Sequence, residues 1–174
     1  MKKKIFIVLP IYNEEKIIEK VVNELIDKTL DFEIKIILIN DGSKDGTKQK
    51  IEKFKDTKNI VVVNKQNEGH GKTISYGYKY AINSDCDYIF QMDSDDQFYT
   101  DDIKQFLKEN FSENLIIGRR KKRKDHLIRL IITNFMKLII LVFHGVSVKD
   151  ANSPFRLIKK SFLSKNIDRV KNSI

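Results

Sequence analysis

Asp93 and Asp95 stand at the end of an apolar, β-prone run, Tyr88-Ile89-Phe90-Gln91-Met92, with Asp96 and Gln97 following. A buried strand that delivers two carboxylates at i and i+2 to its C-terminal end can hold a hard divalent cation if the backbone bends between them. Mg²⁺ or Mn²⁺ takes oxygen ligands and shares its shell with substrate phosphates. The same residue types also make ordinary acidic surface turns, so the pair has to be read with the other polar loops of the chain.

Two such loops follow apolar runs. Asn40-Asp41-Gly42-Ser43-Lys44-Asp45-Gly46-Thr47 follows residues 34–39. There Asp41 can bond a ribose hydroxyl or a base edge, and the alternative is an Asp-Gly turn with Ser43 or Asp45 capping a helix. Asn67-Glu68-Gly69-His70-Gly71-Lys72-Thr73 follows residues 60–63. Glycines at a helix N-terminus allow close backbone approach, and the free N–H groups there favour phosphate. The spacing is neither that of a P-loop nor that of a dinucleotide fingerprint. His70 has no second histidine at ligand spacing and reads as a loop residue.

The elements that must position these loops are legible in the hydrophobic pattern. Residues 4–9, 34–39, 60–63, 88–92 and 115–117 are short apolar runs, as strands covered on both faces are. Helices are expected between them. The first is capped by Asn13 with Glu14 and Glu15 in its first turn. Others are expected over 49–54, around Ile74, Tyr78, Ala81 and Ile82, and over 101–110. After Asp150 the chain reads as a loop and then a short helix over 159–162. Strand–loop–helix units in series imply an α/β fold with a mostly parallel sheet. Ligands bind such sheets at the C-terminal ends of the strands.

At 174 residues the chain suits one domain, 1–174, and its net charge of +9 favours an anionic partner. The single cysteine, Cys86, excludes an internal disulfide and fits a reducing compartment, where it serves packing. The apolar start, interrupted by Pro10, is a first buried strand of a cytoplasmic protein rather than a leader. No apolar run reaches the roughly 18 residues a membrane span needs. Residues 119–124 are six consecutive cations, and 127–143 is apolar except for a stripe of Arg129, Thr133 and Lys137. Together, over 119–145, they read either as an interfacial element at an anionic membrane or as a contact between copies in a homo-oligomer. No aromatic residues interleave the basic run, so nucleic acid is not the expected partner.

Five pieces, taken in order, resemble the inverting family-2 glycosyltransferases with a GT-A fold. They are similar above all to the polyprenyl-phosphate sugar transferases, the dolichyl-phosphate mannose synthase group. The pieces are Pro10-Ile11-Tyr12-Asn13-Glu14-Glu15, Asn40 through Thr47, Asn67-Glu68-Gly69-His70-Gly71, Gln91 through Gln97, and Asp150 through Leu157. The resemblance implies a UDP- or GDP-sugar donor and a polyprenyl phosphate acceptor at the inner face of the cell membrane. It implies that Pro10, Tyr12, Glu14 and Asp41 line the nucleobase and ribose pocket, with Gly69, Gly71, Lys72 and Ser94 near the nucleotide. Asp93, Asp95 and Gln97 would hold Mg²⁺ or Mn²⁺ on the diphosphate, and Asp150 would be the catalytic carboxylate. Arg119, Arg129 and Arg156 would meet anionic groups of the donor or of the lipid phosphate. Two departures stand out. Pro154 occupies the place where the family has glycine, which removes an N–H and fixes φ. The chain also stops before the family's usual C-terminal strand and helix, so it is expected to be either a truncated piece of a member or a shortened, inactive one. Runner-up readings are transfer to a saccharide acceptor and a nucleotide-binding remnant. A phosphatase fits less well, because Asp-x-Asp would then lie on the first strand.

Overall fold

In the computed structural model, residues 3–94, 103–104, 106–107, 111–118 and 155–171 are described. The basic run, the apolar stretch 127–143, Asp95, Gln97, Arg119, Arg129, Asp150 and Pro154 lie outside them. Strand β1 (Lys4–Ile11) is buried along nearly its whole length. Its alternation feeds two cores. Ile5, Ile7, Leu9 and Ile11 face one layer, with Ile34, Ile36 and Leu38 of β2 (Glu33–Asp41) beside them. Phe6 and Val8, with Ile37 and Ile39, face the other. Each fully buried side chain of this size contributes about 1.5–3 kcal/mol, so the two central strands hold the molecule together.

Helix α1 (Ile18–Thr29) buries Ile18, Val22 and Leu25 on the first face, spaced as one stripe of a helix. Helix α2 (Thr47–Glu52) adds Ile51 there. Ile103 and Leu107, on helical backbone, also join that layer. Strand β3 (Ile60–Lys65) precedes helix α3 (His70–Ile82), which covers the second face through Ile74, Tyr78 and Ala81. Strand β4 (Tyr88–Gln91), β5 (Leu115–Ile117) and β6 (Arg156–Lys159) complete the sheet. Helix α4 (Lys160–Lys171) packs Leu163 beside α3.

The strand order is β3-β2-β1-β4-β6-β5. The first four strands run parallel, whereas β6 is antiparallel to both β4 and β5. The order reverses direction between β1 and β4, which creates the crevice where open α/β sheets take their ligands. Among the described residues, no helix is long and apolar enough to cross a membrane.

The structure corrects three expectations. Asn13 does not cap α1. Its φ of 56° is left-handed, which asparagine tolerates, and its Oδ1 accepts from Lys44 N at 2.8 Å. Arg156 and Leu157, expected in a loop, instead belong to β6 together with Lys159, and the short helix expected over 159–162 is the longer α4. Four residues flanked by charge carry too little periodicity to announce a strand. β6 forms because β4 and β5 both present backbone groups that need partners.

Candidate functional site

The loops at the ends of β1 and β2 are laced together. Asn13 N donates to Ser43 Oγ at 3.0 Å, Glu14 N to Thr47 Oγ1 at 2.8 Å, and Glu15 N to Asp45 Oδ2 at 3.2 Å. In return Gly46 N donates to Glu15 Oε2 at 3.0 Å. Asp45 Oδ1 also accepts from Thr47 N at 3.0 Å, so the capping role considered for Asp45 is present. Burial works against ionisation of Asp45, yet the Thr47 and Glu15 donors outweigh it and hold its carboxyl below the usual range. Every one of these bonds joins residues far apart in sequence or caps the next helix, so the rim is fixed before any ligand arrives.

Above this rim, at the point where the strand order reverses, lies a cleft of about 430 Å³. Its lining is Pro10, Ile11 and Tyr12 from the end of β1, Glu14, Asp41 from β2, Asn67 and Gly69 from the β3–α3 loop, His70 and Thr73 from α3, and Asp93 and Ser94 after β4. Seven residues expected from the sequence (Pro10, Tyr12, Glu14, Asp41, Gly69, Asp93 and Ser94) therefore meet on one surface. Gly71 and Lys72 sit in the first turn of α3 and do not line it. Arg156 begins β6 in register with Gln91.

Asp41 is only 3% exposed and is closely coordinated. Its Oδ1 accepts from Lys65 Nζ at 2.5 Å and from Glu68 N at 3.0 Å, and its Oδ2 accepts from Gly69 N at 3.0 Å. Burial favours the neutral acid, but Lys65, the Glu68 N–H and the Thr73 hydroxyl together hold the carboxyl below its ordinary range. A carboxylate has about four lone-pair sites, so Oδ2 retains room for one more donor from the cleft. On the opposite wall, Asp93 Oδ1 is buried and 3.5 Å from His70 Nε2. His70 is thus a cleft residue and the first residue of α3, not a bystander in a loop.

Beneath the end of β4, the Tyr78 hydroxyl donates to the buried Gln91 Oε1. Burial pushes the Tyr78 hydroxyl up from 10.0 to about 12, with the Arg156 guanidinium pulling the other way. Sequence reasoning missed this tie, and it also missed Lys65, whose signal is the strand register, which only pairing reveals. Asn67 and Thr73 stand in the loop read from the sequence, with no role assigned to them there.

A divalent metal fits the donor chemistry here. Asp93 brings a hard carboxylate oxygen to the cleft, as such ions require. Among the described residues there is no group of three or more acidic, histidine or cysteine side chains around one point. Further ligands would have to come from Asp95 and Gln97, outside the described residues.

Residues 6–167 match Glycosyl transferase family 2. The chain belongs to glycosyl transferase family 2. It is a glycosyltransferase with the GT-A fold, as its loop motifs implied. The UDP-N-acetylglucosamine–dolichyl-phosphate N-acetylglucosaminyltransferase of Methanococcus voltae is 31% identical over 92% of this chain and 71% of its own length. A dolichyl-phosphate beta-glucosyltransferase of Trichomonas vaginalis is 28% identical over 93% of this chain and 57% of its own. Among solved structures, glucosyl-3-phosphoglycerate synthase from Mycobacterium tuberculosis, in complex with Mn²⁺, UDP and phosphoglyceric acid, is similar with a TM-score of 0.69 at 16% identity. That match covers 96% of this chain and 65% of the solved one. The family-2 chain thus spans roughly three fifths to seven tenths of these proteins.

Proposed function

We propose that this glycosyltransferase moves a sugar, with inversion, from a nucleoside-diphosphate sugar to a polyprenyl phosphate at the cytoplasmic face of the membrane, with Mg²⁺ or Mn²⁺. The observation that carries the donor half is the cleft at the sheet's reversal point. An apolar and aromatic wall (Pro10, Ile11, Tyr12) faces acidic and backbone donors and acceptors (Asp41, Gly69, Asp93) across it. Such a wall suits a base and ribose, and the α3 N-terminus suits phosphate. A UDP-sugar is favoured, because the Methanococcus relative's name specifies UDP-N-acetylglucosamine and the solved neighbour carries UDP.

Asp93, with Asp95 and Gln97, would hold the metal, which when bound neutralises the charge developing on the departing diphosphate. The chain's own residues do the rest. Tyr12 covers the base, and Asp41 offers its remaining lone pair to an N–H or O–H donor of the nucleoside. A lipid phosphate with its second pKa of about 6 is already largely ionised at neutral pH. Asp150 therefore orients the acceptor more than it deprotonates it, and Arg119, Arg129 and Arg156 offset the repulsion between two phosphates. The polyprenyl acceptor is supported by the dolichyl phosphate in the names of both relatives.

The test is transfer of radiolabelled sugar from a panel of UDP- and GDP-sugars to a short polyprenyl phosphate, with product extracted into organic solvent. A metal-dependent lipid-linked product is expected. Transfer only to a soluble saccharide acceptor would replace the lipid reading. No turnover of any sugar nucleotide in the panel would remove the proposed donor.

A further inference from the structure

Asp41 and Lys65 are register partners at the C-terminal ends of β2 and β3. Partnered positions on parallel strands project to one face, here the face covered by α3. The two side chains are 4% and 11% exposed, and Lys65 reaches past Asp41 to further groups. Its Nζ donates to Gln66 O at 2.8 Å, lies 3.4 Å from Thr73 Oγ1 and lies 3.0 Å from Glu68 Oε2. The 66–69 loop is then tied to the end of β2 at three successive residues. Asn67 Nδ2 donates to the Asp41 carbonyl at 2.9 Å, Glu68 N to Oδ1 and Gly69 N to Oδ2. Gly42 closes the fit from below, since a Cβ there would stand 2.7 Å from Asn67 N. The Glu68 and Gly69 N–H groups thus hang on one carboxylate whose only cationic contact among the described residues is Lys65, while Asn67 is held by the carbonyl of the same residue.

We infer that Lys65 is a positioning residue for the nucleotide-sugar site: its ammonium keeps Asp41 an acceptor on both oxygens, so that the 66–69 loop stays where the donor needs it. Lys65 itself does not line the cleft. The inference rests on the donor reading above. Its physical basis is the mismatch that would follow without the cation. A carboxyl this buried favours the neutral acid, whose single O–H would then face either the Glu68 or the Gly69 N–H, donor against donor, and cost the loop one of its two carboxylate bonds. The charged and titratable groups around Asp41 are Lys65 from β3 and Glu68 from the loop, with the uncharged Thr73 hydroxyl from α3. His70 lies farther along the same cleft.

The test has two arms in the intact chain. In the ligand-free arm, Lys65→Gln, which keeps N–H donors and removes the charge, is compared with the parent by following the Glu68 and Gly69 amide resonances from about pH 5 to about pH 8. Both carry His70→Gln, so that the imidazole contributes nothing. The inference expects flat profiles in the parent and pH-dependent ones in Lys65→Gln. In the binding arm, UDP-glucose with Mn²⁺ is titrated calorimetrically into proteins that retain His70. Lys65→Gln should bind about tenfold more weakly than the parent at the acid end, the size of one lost buried polar contact, with the deficit shrinking as pH rises. In an Asp41→Asn background the Lys65→Gln change should cost nothing more. Flat amides in Lys65→Gln, a deficit independent of pH, or additive losses would each overturn the positioning role. If Lys65→Gln does not fold, Lys65→Arg must keep the parent's flat amide profile, and a titration there overturns it. A parent chain that binds neither UDP-glucose nor any other UDP- or GDP-sugar overturns the donor reading instead, while the amide arm still judges the Lys65–Asp41 tie.

Discussion

At the scale of single residues, the cleft separates groups that hold the site from groups that meet the ligand. Asp93 belongs to the second set, with a buried Oδ1 at the cleft wall. Asp93→Asn keeps the size and removes the charge. It should weaken Mn²⁺-dependent UDP-glucose binding at least about tenfold, with the melting temperature within a few degrees of the parent. Equal affinity with and without chelator in both proteins would remove the metal role. Tyr78 belongs to the first set. Its hydroxyl is held neutral up to about 12, against 10.0 when free. A raised pKa stabilises the fold below the unfolded value and loses that contribution as pH climbs through the folded value. The parent should therefore lose stability relative to Tyr78→Phe between pH 10.0 and about 12. At neutral pH the variant should be less stable by about 1–3 kcal/mol, because Gln91 Oε1 loses its buried donor. Denaturant melts of both proteins across that range check it, and parallel curves would mean that Tyr78 is not the titrating group.

At the scale of elements, the site depends on how closely α3 lies on the sheet, and Gly77 sets that distance. A Cβ there would stand 2.8 Å from Ile39 Cδ1 and closer still to Val8 Cγ1. Helix propensity favours alanine over glycine by about 1 kcal/mol. Overpacking against the two central strands costs about 1–3 kcal/mol, with occasional larger values. Gly77→Ala is therefore expected to lower the urea midpoint without changing the m-value, and to weaken UDP-glucose binding as α3 shifts His70 and Thr73. A raised midpoint would mean that the helix gives way freely. The same close packing explains what was readable beforehand. Strands β1 and β2 announce themselves as apolar runs because both of their faces are covered, and α1 announces itself by its stripe. Arg156-Leu157-Ile158-Lys159 does not, because only its neighbours in the sheet make it a strand. In the site, Asp41 is visible as a polar residue ending an apolar run. Its bond to Lys65 is invisible, since it depends on the β2–β3 register, and Asn13 looks like a cap because a left-handed asparagine has the same composition.

At the scale of the whole molecule, the parallel half of the sheet builds the cleft, and the antiparallel β6 and β5 extend the sheet beyond β4. The chain's charge of +9 is a property of the whole surface, but six of its cations are consecutive at 119–124. An acceptor carried in a membrane makes that run meaningful, because each Lys or Arg near an anionic surface contributes about 1 kcal/mol and fades over about 8 Å at physiological salt. The intact chain should float with vesicles containing phosphatidylserine or cardiolipin and remain behind with pure phosphatidylcholine. Raising the salt should release it. Replacing Lys121, Lys122, Arg123 and Lys124 with glutamine should reduce the floating fraction several-fold. UDP-glucose affinity should stay unchanged, because none of those four residues is assigned to the donor site. Sedimentation in the same buffers separates the other use of this region: a vesicle-indifferent chain that sediments as a dimer through 127–143 would show that the apolar stretch covers a second copy and not a lipid surface. Binding to neutral and anionic vesicles alike, insensitive to salt, would mean that apolar insertion rather than charge brings the enzyme to its acceptor.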